Sequence, residues 1–415
     1  MKVYISGISG TGMGPLALMA KQAGFTVCGS DLVEGAVYNE LVKAGIEVKI
    51  GPQDGEFLKE KLTEGVDWFV HTSALPADHK ELTLAREAGI KCTKRDDFTA
   101  FLVEELDLKM IAVAGTHGKT TTTAMIVWAA LELGLPVAYI VGTTLGFAPS
   151  GSYKVGDKYF VYEADEYDRN FLKYHPWLAV ITVVSYDHPD IYLTVEDYTV
   201  AFDQFRAQSE KVIEESSFSE NEFKLAGMMR RKDASLAAEA ILAMAPEVSH
   251  KKIIQILDEF PGVGRRLERI ADGVYTDYAH HPEEIVATMD AIKDEKQFRG
   301  KKGIVVIYQP HQNVRQHEVR DGYKEAFAGA DRIYWLPTYL TRENPDLPVL
   351  SPEELVDGLT NKNAAEVIEL SDELIEKLQG YINDNYLVIL MTAGPADAWF
   401  REKFGQIQRR QYALE

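Results

Sequence analysis

Three successive α/β domains, each on a largely parallel sheet, are the fold that the sequence predicts. Three observations lead there. Short β-type apolar runs alternate with helical patterns almost from end to end, as βαβ units require. The alternation restarts at "MIAVAGT" after about residue 107, and again at "VYTDYA" after the Pro/Gly punctuation "FPGVG" (Phe260 to Gly264). Finally, 415 residues at 46% hydrophobic can bury more than one core, and roughly 150 residues per domain gives about three. The domains are set at 1–107, 108–262 and 263–415.

In the first domain, strands are read in "KVYISGI", "TVCGSD", "EVKIG", "DWFVHTS" and "IKCT", with a helix from about Met13 and others between them. In the second, "MIAVAGT" feeds a helix through the 120s, followed by "VAYIVG", "KYFVYEAD" and "WLAVITVVS"; helical patterns then fill much of 194–259. The third carries "VYTDYA", "GIVVIYQ", "RIYWLPTY", "AEVIEL" and "YLVILMT", each followed by a helical stretch.

A formal net charge of −20 argues against nucleic acid as a partner, because neutralising phosphates needs a basic face. A small anion remains admissible, since converging N–H groups and a few cations can hold one against the overall field. Cys28 and Cys92 are read as reduced buried thiols, without a disulfide framework or a cysteine metal site. The opening "MKVYISGISG" lacks a long apolar core, and no run approaches the ~18 apolar residues of a membrane span. The expectation is a soluble, cytoplasmic protein with no membrane partner.

The clearest chemical signal is "IAVAGTHGKTTTT", Ile111 to Thr123. Gly115 and Gly118 let the backbone turn with positive φ, so that N–H groups converge on an anion. Lys119 can reach terminal phosphates, Thr120 can ligate Mg²⁺, and the helix that starts there points its positive end at the phosphates. The match to G-x-x-x-x-G-K-[ST] is incomplete, because Val113 holds the first glycine position. The favoured nucleotide is ATP.

Downstream, "YFVYEADEYDRNFL" places Glu163, Asp165, Glu166 and Asp168 just after a strand, where an open α/β sheet binds its ligand. Clustered like charges want a cation such as Mg²⁺; the alternative is an ordinary solvated acidic loop. "WLAVITVVS" ends in "YDHPDIY", which offers Asp187 and His188 at a similar height. Near the start, "GISGTGMG" (Gly7 to Gly14) follows a strand and opens a helix, and "GSD" ends the next strand at Asp31. This suits a pyrophosphate, although Ser9 stands where G-x-G-x-x-G wants glycine.

Taken together, these segments resemble the Mur ligase family, the ATP-dependent amide-forming enzymes of peptidoglycan precursor synthesis. The likeness covers nearly the whole chain, and its strongest pieces are "GTHGKTTTT", "EADEYD", "YDHPDIY", "RRLE", "TDYAHHPEE" and "YQPHQNVRQ". It implies a Rossmann-like N-terminal UDP-binding domain, a central P-loop ATPase-type domain and a Rossmann-like C-terminal domain for the amino acid. Within the family, "GISGTGMG…GSD", "DYAHHPEE" and "QPH…R" look most like the branch that joins L-alanine to the lactyl carboxylate of UDP-N-acetylmuramate.

Carried over by position, the resemblance assigns Gly10, Thr11, Gly12, Met13, Asp31 and Ser73 to the UDP-sugar. To ATP it assigns Gly115, Thr116, His117, Gly118, Lys119, Thr120 and Thr121, with Asp233, Arg266, Asp277 and His280. Thr120, Glu163 and His188 would ligate Mg²⁺, Arg315 would receive the amino acid's carboxylate, and His280 and His281 would face phosphates and substrate. A base must take a proton from the ammonium group; His188 and His281 both suit by pKa, and the choice between them stays open. Either a monomer or a homodimer is compatible, and domain closure is expected to accompany catalysis.

The sequence departs from the family pattern in four places. The adenine-contact segment, usually His-Asn-x-x-Asn, reads "GMMRRKD", so Asp233 can accept from adenine but offers no amide donor. The stretch between His188 and Arg265 is shorter than the alanine-adding branch usually has. Gln312 and Val314 replace residues often Arg and Ser or Thr, and no lysine occupies 195–208, where several sister ligases place a carbamylated one. Rival readings are the branch that adds a recycled murein tripeptide, a UDP-sugar-binding relative with impaired ATP use, and a nicotinamide-dependent dehydrogenase. The last leaves the Lys-Thr loop unexplained.

Overall fold

The computed structural model describes residues 1–72, 75–341 and 343–412, with side chains to Gln406. The first sheet holds β1 (Lys2–Ser6), β2 (Thr26–Asp31), β3 (Glu47–Ile50), β4 (Trp68–His71) and β5 (Lys91–Lys94). Its order is β3-β2-β1-β4-β5, all parallel. The order reverses at β1, which places the glycine segment after β1 at the switch point of the sheet.

The second sheet is built from β6 (Lys109–Ala114), β7 (Val137–Ile140), β8 (Gly151–Ser152), β9 (Tyr159–Glu163), β10 (Leu178–Ile181) and β11 (Val212–Ile213). Its order is β11-β10-β6-β9-β7-β8, with β7 and β8 antiparallel. The third sheet comprises β12 (Glu268–Ala271), β13 (Val274–Asp277), β14 (Ile304–Gln309), β15 (Arg332–Trp335), β16 (Ala365–Val367) and β17 (Leu387–Thr392). Its order is β12-β13-β17-β14-β15-β16, with β12 and β13 antiparallel. Every strand read from the sequence is present. The three additional ones, β8, β11 and β12, are two to four residues long, too short to carry a period. Met110 to Ala114 of β6 and all of β17 are buried, as parallel strands covered on both faces must be.

Packing divides the chain into two compact units. One comprises Met1–Ser185, Glu196–Phe223 and Asp233–Val263, and carries the first two sheets. The other comprises Tyr186–Val195, Lys224–Lys232 and Gly264–Glu415, and carries the third.

Within the first unit, the two sheets meet across a polar seam. Asp96, in the helix Arg95–Glu105, is buried, and its Oδ1 accepts from the Tyr162 hydroxyl (3.0 Å), the Tyr174 hydroxyl (2.8 Å) and Arg95 Nη2 (3.1 Å). Burial holds both phenols well above their ordinary pKa, so they remain donors. On the far side, a Cβ on Gly151 would lie 2.2 Å from the Pro15 carbonyl oxygen; only glycine allows that approach.

Glu81 organises the C-terminal end of the first sheet. The side chain is buried in the first turn of the helix Lys80–Glu87. Its carboxylate accepts from the hydroxyls of Tyr4 (2.7 Å), Ser6 (2.7 Å) and Ser30 (2.7 Å), and from Gln53 Nε2 (3.3 Å). Ser30 in turn offers its carbonyl to the N–H groups of Gly7 (2.8 Å) and Ile8 (3.1 Å), so the network fixes the start of the glycine segment. Glu81→Gln would turn an amide donor towards these donors. It is expected to cost about 2–3 kcal/mol, measured as a lower unfolding midpoint in denaturant.

Candidate functional site

The phosphate loop leaves β6 between β10 and β9. Gly115 has φ 136° and Gly118 φ 88°, and a Cβ on Gly115 would meet Thr182 Oγ1 at 2.2 Å. The helix Lys119–Glu132 begins directly after, with no side-chain cap from Gly118. Its first-turn N–H groups therefore lack intrahelical acceptors. Thr116 braces the loop: its hydroxyl donates to the Ser185 carbonyl (2.6 Å), and it lies 2.7 Å from the Tyr198 hydroxyl. His117 is buried beside it, with its N–H on the Val183 carbonyl (3.3 Å). Thr121 is partly exposed in the first helical turn.

Lys119 Nζ donates to Glu166 Oε2 (2.7 Å) and Oε1 (3.0 Å), and to the Gly115 carbonyl (2.5 Å). Burial alone would lower its pKa, but Glu166, Asp165 and Glu163 outweigh it and raise the pKa further above the usual lysine value. It is an ammonium at every working pH. The Thr120 hydroxyl donates to Glu163, 3.0 Å from each oxygen. A hydroxyl beside a carboxylate at a strand's end is an all-oxygen pair of the kind that suits Mg²⁺. Asp233, buried in the helix Met228–Met244, stands against the loop; a Cβ on Gly118 would lie 2.3 Å from its Oδ1.

Gly118→Ala is therefore expected to fail twice over. The left-handed φ alone costs about 1–2 kcal/mol, and the methyl must also displace Asp233. A thermal shift and loss of nucleotide binding, measured together, would check this.

In the N-terminal glycine segment, Gly7 has φ 79°, and the Gly10 carbonyl accepts from Met13 (3.1 Å) and Gly14 (2.9 Å). Thr11 is exposed, and Gly12 immediately precedes the helix Met13–Gln22. Asp31 binds this segment itself: its Oδ2 accepts from the Ser9 N–H (2.8 Å) and its Oδ1 from the Leu32 N–H (2.8 Å). A cation missed in the sequence stands here too. A Cβ on Gly12 would lie 2.5 Å from Arg95 Nη1, so the guanidinium anchored on Asp96 faces the glycine segment. Ser73 lies outside the described residues.

In the second unit, the remaining candidates gather at the strand ends of the third sheet. Asp277 ends β13, and its carboxylate accepts from the N–H groups of Leu267 (2.7 Å) and Ala279 (2.8 Å). Burial raises its pKa against the opposing pull of Arg266. Arg266 Nη1 is 3.6 Å from Glu284 Oε1. His280 Nδ1 lies 3.0 Å from both the Tyr278 carbonyl and Glu284 Oε2. Two acceptors there place the proton on Nδ1. His281 caps the helix Pro282–Asp294, where its Nδ1 accepts from the Glu283 N–H (3.4 Å).

Arg315 is buried and already holds a carboxylate. Its Nε is 3.2 Å from Asp187 Oδ1 and its Nη2 3.3 Å from Oδ2, while Nη1 lies 3.3 Å from His311 Nδ1. Burial pushes the Asp187 carboxyl up, but Arg315 and His188 overcome this and hold it far below the usual carboxylate range. His188 sits at φ 59°, its Nε2 3.8 Å from Asp187 Oδ2. The segment bearing Asp187 and His188 packs with the second unit, whereas Glu163 belongs to the first.

Three family profiles match in order: "Mur ligase family, catalytic domain" over residues 2–105, "Mur ligase middle domain" over 113–216, and "Mur ligase, glutamate ligase domain" over 265–394. The chain is 31% identical to the UDP-N-acetylmuramate–L-alanine ligase of Syntrophomonas wolfei, over 96% of this chain and 95% of that one. It is 29% identical to the ligase of the same name from Clostridium acetobutylicum, over 96% of each. Among solved structures, the UDP-N-acetylmuramate-alanine ligase of Thermotoga maritima superposes with a TM-score of 0.78 at 24% identity, over the full length of both chains. A murein peptide ligase from Psychrobacter arcticus gives 0.62 at 24% identity, over 95% of this chain and 96% of that one; both share the three-domain α/β fold. The chain belongs to the Mur ligase family. No helix among the described residues is long and apolar enough to cross a membrane.

Proposed function

We propose that this protein is an ATP-dependent ligase that joins L-alanine to the lactyl carboxylate of UDP-N-acetylmuramate in peptidoglycan precursor synthesis. The observation that carries the reading is the loop after β6, where Lys119 and Thr120 face carboxylates at and just beyond the end of β9. The names and full-length coverage of the relatives support the choice of substrates. Cytoplasmic action as a monomer or homodimer, with domains at 1–107, 108–262 and 263–415, belongs to the same proposal.

A carboxylate and an amine in neutral water only exchange a proton, so the carboxyl oxygen must first become a leaving group. Transfer of the γ-phosphoryl group to that oxygen forms an acyl phosphate and releases ADP. The amine then attacks the acyl carbon, and the tetrahedral intermediate expels phosphate. The protein's share is to bring two anions together and offset their repulsion. Lys119 would hold the β/γ-phosphates, aided by the N–H groups of the first helical turn. Asp31's grip on Ser9 and the facing Arg95 would shape the seat of the sugar nucleotide's diphosphate. Arg315 would receive the amino acid's carboxylate, in exchange for or alongside Asp187. His188 or His281 would take the ammonium proton. Thr120 and Glu163 would hold Mg²⁺, which supplies positive charge at the phosphates when bound.

The test is purified protein with ATP, Mg²⁺ and UDP-N-acetylmuramate, offered a panel of amino acids and the murein tripeptide, with product mass and phosphate release followed. The expected result is a product only with L-alanine or a near neighbour such as glycine or L-serine. A product only with tripeptide, or none with phosphate release at background, overturns the proposal.

A further inference from the structure

The Lys119 ammonium donates to Glu166 Oε2 at 2.7 Å, Glu166 Oε1 at 3.0 Å and the Gly115 carbonyl at 2.5 Å, with the Thr116 carbonyl farther off at 3.4 Å. Glu166 is fully buried. A buried carboxylate without a cation is strongly disfavoured, so this pair holds each partner in place. The backbone around Glu166 is equally constrained. Its carbonyl accepts from the Arg169 N–H (3.0 Å), and Asp168 and Arg169 both adopt left-handed φ, 54° and 55°. Two such residues in sequence are strained and persist only where surrounding contacts enforce them. Here Lys94 holds Asp168 (2.5 Å) and Asp197 holds Arg169 (2.6 Å).

We propose that Glu166 is a positioning residue for Lys119: it aims the ammonium at the loop and competes with an incoming triphosphate for it. The inference rests on the reading of this loop as the ATP site. Two anions then share one cation. Nucleotide binding works against Glu166, while the orientation that Glu166 imposes serves phosphoryl transfer.

These two effects carry opposite signs, which a merely structural residue would not produce. Glu166→Gln keeps the shape and removes the charge. It is expected to bind ADP with Mg²⁺ about tenfold more tightly, as a charged competitor is lost, and to lower kcat at least about tenfold, with KM for ATP unchanged or reduced. In a Lys119→Met background, the same change should alter ADP affinity by less than about twofold, because the coupling runs through the lysine. An equal shift in both backgrounds, no shift in either, or a parallel loss of affinity and kcat overturns the proposal.

If Glu166→Gln does not fold alone, thermal unfolding of the other two variants decides. Lys119→Met, which takes the ammonium away from Glu166, is expected to melt below Lys119→Met/Glu166→Gln; the reverse order counts against the pairing. Wild-type protein that binds no ADP would remove the ATP reading itself. Wild-type binding with an inert Glu166→Gln removes this inference only.

Discussion

Lys119→Ala is expected to reduce turnover by at least about a thousandfold. Binding of UDP-N-acetylmuramate should stay within about twofold of wild type, because the residues proposed for the two ligands belong to different sheets. The asymmetry follows from where the chain places its groups. Lys119 lies after β6 of the second sheet, while the glycine segment, Asp31 and the Glu81 network belong to the first. Loss of the ammonium removes two hydrogen bonds from the buried Glu166 carboxylate, so a modest fall in melting temperature should accompany the loss of activity. Calorimetric titration with the sugar nucleotide, beside a phosphate-release assay, separates the two effects. Equal losses in both would show that the ligands are not held by different sheets.

Asp187→Asn is the second large effect, and it falls on stability as much as on catalysis. It takes the paired anion away from the buried Arg315 guanidinium, and breaking such a pair from one side costs about 3–5 kcal/mol. Replacing both partners, as Asp187→Leu with Arg315→Met, should cost much less, because no isolated charge remains. The double variant is expected to melt closer to wild type than Asp187→Asn while remaining inactive, since Arg315 is the proposed carboxylate receiver. Differential scanning calorimetry and the ligation assay together check this. The sign with pH is also fixed. The folded Asp187 carboxyl is held below its unfolded value, so the pair's contribution is fully present above roughly pH 3.9 and is lost only as pH falls below that. The stability gap between wild type and Asp187→Asn should therefore be flat from pH 5 to pH 8 and shrink in acid.

The parts of this molecule that could be read from sequence are those whose causes lie close together in the chain. The apolar runs of β6, β14 and β17 announce buried parallel strands, and Gly115 and Gly118 announce a turn because few other residues tolerate their φ. The start of the helix at Lys119 follows from the same short stretch. What could not be read depends on partners brought together by folding. Arg95 faces Gly12 only because β5 leads into its helix beside the glycine segment, and nothing in either stretch marks the other. Glu81 gathers four donors from three separate stretches of the first sheet and its loops. Asp187 and Arg315 are each visible in a motif, yet their union spans 128 residues. Glu166 stood in the acidic cluster beside Glu163, and only the fold shows that one carboxylate faces a hydroxyl and the other an ammonium.

The second unit is discontinuous in the gene. Cutting the chain at Val263 would yield a tidy carboxy-terminal fragment on paper, but one lacking Tyr186–Val195 and Lys224–Lys232. Such a fragment would carry an orphaned guanidinium at Arg315 and would lose the Gly227 N–H bond to Asp294 (3.1 Å). Swapping this portion for that of a relative to change the acceptor would meet the same obstacle. A working chimera has to exchange the two short inserts together with the long tail, so recombination by a single junction is closed to this architecture.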